Sequence, residues 1–135
     1  MSTNKKIFVN LPVKNLNKSI EFFSKLGFSF NPQFTNEKAT CMIIAENIFA
    51  MLSAEKFFKT FTKKDIVDAS ICTEVFISLS VDSKEEVDAL ISKALAAGGK
   101  TPNEPDDRGY MYSWGFEDLD SHAWDIFFMD PSAIN

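Results

Sequence analysis

The chain has 135 residues, 45% of them hydrophobic and 24% charged, enough for one compact domain with a real core or for two small fused modules that fold as one. A net charge of −5 and a pI near 4.8 argue against nucleic acid, whose phosphates demand a basic surface. No apolar run reaches membrane-spanning length, and MSTNKK leads straight into a strand without a signal-peptide pattern, so a cytoplasmic protein is expected.

Ile7, Val9, Leu11 and Val13 alternate with Phe8, Asn10 and Pro12, which predicts a strand with one aliphatic and one mixed face. Asn15 or Asn17 can cap the following helix, in which Leu16, Ile20, Phe23 and Leu26 recur at helical spacing. Gly27 ends it. Residues 28–34 and 40–45 read as strands, and Glu46-Asn47 turns the chain into a third over 48–53. Residues 54–72 read as a linker, within which AEKFFKTF could form a short helix packing Phe57, Phe58 and Phe61.

The pattern then starts again. Val75, Ile77, Leu79 and Val81 share one strand face, and Phe76, Ser78 and Ser80 the other. Ser83 and Glu86 form a capping box, the serine hydroxyl accepting from the backbone of Glu86 while the glutamate reaches back. Val87, Leu90, Ile91, Ala94 and Leu95 make the buried stripe of this second helix, which closes at Gly98-Gly99. Residues 101–108, rich in Pro, Asn and Asp, read as a loop. Residues 110–116 and 122–129 are the final strands, joined by a turn over 117–121.

Phe8 and Phe76, Leu11 and Leu79, and Val13 and Val81 are each 68 positions apart, so the registers of the two halves match. Each half is a βαβββ unit, the first over 5–53 and the second over 73–130. One such half leaves a sheet face uncovered, so the two are expected to act as a single 1–135 domain sharing a core or cavity. Fourteen phenylalanines, against two tryptophans and two tyrosines, are enough both to fill a core and to line an aromatic cavity. Cys41 and Cys72 have neither metal-ligand nor disulfide spacing, and both are read as reduced and intracellular.

PVKNLNKSIEFFSKLGF resembles the opening strand, turn and helix of the vicinal-oxygen-chelate superfamily, which includes glyoxalase I, bleomycin-resistance proteins and extradiol dioxygenases. FEDLDSHAWDI is similar to that superfamily's closing D-G-H-x-W-E signature, and DDRGYMYSWGFEDLD to the loop and strand before it. The resemblance implies an α+β fold whose two βαβββ repeats form curved mixed sheets around a cavity, often completed by dimerisation. It also implies where a divalent metal would sit in the metalloenzymes, between His or Glu side chains on the first and last strand of each half. Those positions fall here on Phe8, Met51, Phe76 and Asp125. Only Asp125 can coordinate a hard cation, so no metal or other cofactor is expected. The pattern does not carry over the lactoylglutathione lyase activity of glyoxalase I.

Asp125 shares a strand face with Ala123 and Phe127, opposite a core face of Trp124, Ile126 and Phe128. Facing a cavity, its carboxyl would be raised by desolvation and would serve as acid, base or ligand anchor; otherwise it is a structural hydrogen-bonding group. Phe8, Asn10, Phe49, Met51, Phe76, Ser78 and Phe127 would line the concave face that the resemblance implies, although an aromatic stripe in a soluble fold is as often core. Arg108, the only arginine, either pairs with a neighbouring Asp or holds an anionic ligand at the cavity mouth. His122, the only histidine, matches the histidine of the family's turn, which is not usually a ligand, and reads as a turn residue bonded to backbone. Ser121 stands where the family has glycine.

Three functions compete on these residues. The first is a metal-free protein of the bleomycin-resistance type that binds a small aromatic or amphiphilic molecule. The second is a glyoxalase-like lyase or isomerase, or a dioxygenase-type enzyme, with a divergent metal site or with Asp125 acting alone. The third is a homodimeric interaction module without a small ligand.

Overall fold

The computed structural model describes residues 5–133; residues 1–4, which begin the MSTNKK segment, and 134–135 lie outside them. The chain divides into two compact units, Met1–Val67 and Asp68–Asn135. Each contains one βαβββ repeat on a four-stranded mixed sheet, as the sequence pattern predicts.

The first unit runs β1 (Ile7–Val13), α1 (Leu16–Lys25), β2 (Ser29–Asn31), β3 (Ala39–Ala45), β4 (Ile48–Ala54) and α2 (Glu55–Phe58). Its sheet order is β1-β4-β3-β2, with β1 parallel to β4 and the other pairs antiparallel. Asn15, rather than Asn17, caps α1, its Oδ1 accepting from the Lys18 amide at 3.1 Å. Leu16, Phe22, Phe23 and Leu26 of this segment are buried together with Leu11, Val13, Met42, Ala50 and Leu52 from one sheet face. Gly27 leaves the helix at φ +103°, a left-handed conformation that only glycine adopts without steric cost, and Gly98 does the same at +106° after the Lys84–Ala96 helix of the second unit.

Two expectations for this unit need correction. The strand read over 28–34 is only three residues long, because Pro32 brings no ladder donor and Asn31 caps a 3-10 turn over Pro32–Phe34 by accepting from Gln33 at 2.9 Å. The segment read as a linker starts one residue late, since Ala54 completes β4; within it the expected short helix forms as α2 and a 3-10 turn at Lys59–Phe61, with the Phe57 and Phe61 rings 4.9 Å apart.

The second unit runs β5 (Phe76–Ser80), α3 (Lys84–Ala96), β6 (Asp106–Asp107), β7 (Met111–Glu117) and β8 (Ala123–Met129), with sheet order β5-β8-β7-β6. Again the first and last strands are parallel neighbours. Ser83 caps α3, its hydroxyl accepting from Glu86 at 3.1 Å. Val87, Ile91 and Ala94 are fully buried beside Phe116, Trp124 and Ile126. Leu95, expected in that stripe, is exposed, since it lies roughly a fifth of a turn off the stripe's centre. The Tyr112 hydroxyl donates to Asp88 at 2.6 Å, tying β7 to α3, and this hydrogen bond pushes the phenol up to about 12.

Residues 101–108 do not form loop alone. Asp106 and Asp107 pair with Ser113 and Tyr112 as a short edge strand, and Lys100 bridges Glu117. Local propensity disfavours Asp in strands, but register imposed by the turn at Gly109 overrides it. No helix among the described residues is long and apolar enough to cross a membrane.

Candidate functional site

Strand alternation in the second unit sends Trp124, Ile126 and Phe116 into the helix-covered core and leaves Phe76, Ser78, Glu117, Ala123, Asp125 and Phe127 on the opposite face. On this face lies a groove of about 660 Å3. Its floor is Phe76 and Ser78 of β5, Ala123 and Asp125 of β8, and Ser113, Gly115 and Glu117 of β7; Pro102, Asn103, Glu104 and Asp106 form a wall. Such a volume falls within the range of about 300–1,000 Å3 typical of small-molecule sites.

Asp125 sits centrally. Ser78 is its register partner on β5 and donates a long hydrogen bond, Oγ to Oδ2 at 3.5 Å. Gly115 is its partner on β7. Desolvation by burial pushes the Asp125 carboxyl up, and the Ser78 hydroxyl only partly offsets this. A carboxyl of this kind sits in a groove, partly buried and joined to the protein by one long bond. It can anchor a ligand or carry a proton.

The two sheets are equivalent position by position, and the register makes the comparison exact enough to read. Asn10 pairs with Met51 and Ser78 with Asp125, so Met51 and Asp125 are repeat-equivalent, as are Phe8 and Phe76. Across the next strand pair, Cys41 faces Met51 and Gly115 faces Asp125, while Ile43 faces Phe49 and Glu117 faces Ala123. The first unit thus presents Phe8, Phe49, Met51 and Ile43 where the second presents Phe76, Ala123, Asp125 and Glu117. Phe8 and Phe49 fill their face with stacked rings 4.8 Å apart. In the second unit the residue equivalent to Phe49 is Ala123, which leaves Phe76 71% exposed and the groove open.

Of the candidate residues, Phe76, Ser78 and Asp125 come together in the groove. Phe127 follows on the same face of β8 but is not in the groove lining. Phe8, Asn10, Phe49 and Met51 share one face of the first unit's sheet. Arg108 is held by Asp106, Nε to Oδ2 at 3.0 Å, the pairing with a neighbouring carboxylate; it does not line the groove, and the Asp106 hydrogen bond and charge raise its pKa further. Gly115, Glu117 and Glu104 escaped sequence reasoning. Carrying the repeat through β3 and β7 would have found the first two, because it exposes the contrast between Ile43 and Glu117.

His122 bonds differently from expectation. Its ring Nδ1 lies 3.0 Å from Asp118 Oδ2, and its amide donates to Asp118 Oδ1 at 3.0 Å, so a buried carboxylate rather than backbone holds the imidazole. Ser121 takes φ +67°, the left-handed conformation of the glycine it replaces, and the turn keeps its tight form. Cys41 and Cys72 are both free; Cys41 is buried, and burial pushes its thiol up, the signature of an inert side chain.

The metal positions do not fit a metal. Phe76 beside Asp125 in one unit, and Phe8 beside Met51 in the other, offer a single hard donor. Among the described residues no three His, Cys, Asp or Glu side chains converge.

A model of the Glyoxalase/Bleomycin resistance protein/Dioxygenase superfamily matches residues 7–126, and the chain belongs to that superfamily. A hypothetical protein from S. aureus is 31% identical, with 94% of this chain and 95% of that one covered at a TM-score of 0.79. A glyoxalase-related enzyme from Fulvimarina pelagi is similar in fold at 19% identity, covering 93% and 88% of the two chains with a TM-score of 0.78. A glyoxalase/bleomycin resistance protein/dioxygenase family enzyme from Burkholderia phytofirmans matches at 18% identity, 90% and 96% coverage and a TM-score of 0.75. No curated protein matches the chain.

Proposed function

We propose that the protein binds a small aromatic or amphiphilic molecule in the groove of its second unit, without a metal, and that Asp125 orients it. The observation that carries this reading is the Asp125 carboxyl itself. It lies on the floor of an open groove beside the exposed Phe76 ring, with Gly115 opposite it in register. Apolar burial against Phe76 favours a flat ligand at roughly 25 cal/mol per Å2 before binding costs are subtracted, and the carboxyl supplies direction. Phe8, Asn10, Phe49 and Met51 present the same kind of aromatic face in the first unit and are second candidates for contact. Homodimerisation, which the superfamily resemblance implies, is part of the proposal.

A second reading is favoured by the raised Asp125 carboxyl, which is suited to exchanging a proton. In it the protein is a glyoxalase-like lyase, isomerase or dioxygenase-type enzyme. Any metal it used would need ligands other than Phe8, Met51 and Phe76.

The test is a thermal-shift ligand screen on the wild type, Phe76→Ala and Asp125→Asn, followed by native mass spectrometry. Compounds that stabilise the wild type should lose their effect in Phe76→Ala, and polar ones also in Asp125→Asn. Hits that act equally on all three proteins would overturn the groove assignment. A stoichiometric, chelator-removable metal that supports turnover would shift the conclusion to the enzyme.

A further inference from the structure

We infer that the ligand of this groove is an organic cation: an amine or quaternary ammonium carrying an aromatic or other flat apolar body. The inference rests on the binding reading above and adds the sign of the ligand's charge.

Four carboxylates line the groove, from Glu104, Asp106, Glu117 and Asp125, and no Lys, Arg or His does. Asp106 is balanced by Arg108. The other three enter no ion pair among the described residues, in a chain whose remaining ion pairs use Glu21, Asp65, Asp107 and Asp118. Lys100 is the ladder partner of Glu117 but forms no ion pair with it, so the groove lining keeps a net negative charge.

Repeat equivalence gives an independent argument. Asp125 and Glu117 stand where the first unit has Met51 and Ile43. The fold itself accepts apolar residues at these positions, so sheet architecture does not require the two carboxylates. They face the groove from neighbouring strands, one on each side of the space opened by Gly115 and Ala123. Beside them the exposed Phe76 ring adds a face that attracts cations through its quadrupole. Carboxylates together with an aromatic face make a site for a cation with an apolar body. They would repel a carboxylate or phosphate ligand.

The experiment titrates three compounds built on one ring system into the full-length protein at neutral pH. Naphthylmethylammonium, naphthylmethanol and naphthoate are followed by calorimetry and by the amide signals of Phe76, Ser78 and Asp125. The ammonium should bind about tenfold tighter than the alcohol, as a charge-assisted contact predicts, and naphthoate most weakly. Added salt should weaken the ammonium alone. Asp125→Asn and Glu117→Gln should each lower ammonium affinity several-fold and alcohol affinity by clearly less. Should Asp125→Asn fail to fold, Glu117→Gln and the salt dependence carry the test. Equal binding of all three compounds would overturn the inference and leave the aromatic groove standing. Shifts of these amides with none of the three would overturn both.

Discussion

Gly115 lies directly across the β7–β8 ladder from Asp125, and a Cβ placed on it would come within 3.0 Å of the Trp124 carbonyl oxygen and 3.9 Å of Asp125 Oδ1. Glycine here is a matter of space rather than of backbone angle. It lets two strands approach and leaves the carboxyl accessible from the groove. Gly115→Ala should therefore destabilise the fold by about 1–2 kcal/mol, the range of modest overpacking, and weaken ligands that contact Asp125. Urea unfolding of the variant checks the first effect; a midpoint equal to wild type would show that the strands have slack.

Asp125 should make the protein less stable at neutral pH than its asparagine variant. Burial raises the carboxyl above its unfolded value, so the folded state holds its proton more tightly than the unfolded one. Stability contributed by this group is thus present at low pH and falls as pH rises from the unfolded pKa through the folded one, the reverse of a salt-bridged Asp. Asp125→Asn should remove that slope and raise the denaturation midpoint at neutral pH. A lower midpoint at neutral pH, with fold retained, would mean that the charged form is stabilised by a partner.

Much of the fold was legible because it was written twice. The 68-residue register of Phe8 with Phe76 and Leu11 with Leu79 fixed the strand faces, and both repeats obey it. Elements set by non-local register were harder to read. The Asp106–Asp107 strand exists because Ser113 and Tyr112 pair with it, which propensity cannot reveal, and β2 stopped early at Pro32. At the site, alternation puts Phe76 and Ser78 on one strand face and Asp125 on another, and only the resemblance implied that these faces border a cavity. Glu117 and Gly115 were hidden at a strand end and in an aromatic stretch, where neither residue type signals a groove by itself. Arg108 offered two outcomes of equal chemistry, and only its Nε–Oδ2 distance to Asp106 separates them.

Ser121→Gly should stabilise the protein by roughly 0.5–1 kcal/mol. At φ +67° Ser121 is the one non-glycine residue with positive φ among those described, and a side chain is strained there. Glycine relieves the strain but gains freedom in the unfolded chain, so the net effect is smaller than the strain itself. Chemical denaturation of the pair measures it. A destabilised variant would show that the Ser121 side chain makes a compensating contact.

The Asp118 carboxylate is the hub of the β7–β8 turn, and removing it should cost more than Gly115→Ala. Its Oδ1 accepts from the amides of Asp120 and His122 at 2.9 and 3.0 Å, and its Oδ2 from the Trp124 indole and the His122 ring at 3.0 Å each. Trp124 is 1% exposed, so Asp118→Ala leaves a buried N–H without its acceptor as well as a loosened turn. The expected cost is roughly 2–4 kcal/mol, from the lost charge-assisted bonds and the unsatisfied indole. The same contact sets the charge of His122. Burial pulls the imidazole down, but the hydrogen bond and charge of Asp118, with Asp120 beyond it, outweigh burial and leave its pKa raised. A raised histidine stabilises the fold below its unfolded pKa, near 6.5, and that contribution is lost as pH rises through the folded pKa. His122 is the chain's only histidine, so its ring signals can be titrated by NMR without assignment by mutagenesis. In wild type the midpoint should lie above that of a free imidazole, and in Asp118→Asn it should fall below the wild-type value, burial then acting with less opposition. An Asp118→Asn protein with an unchanged His122 midpoint would show that Asp120, and not the hub, holds the charge.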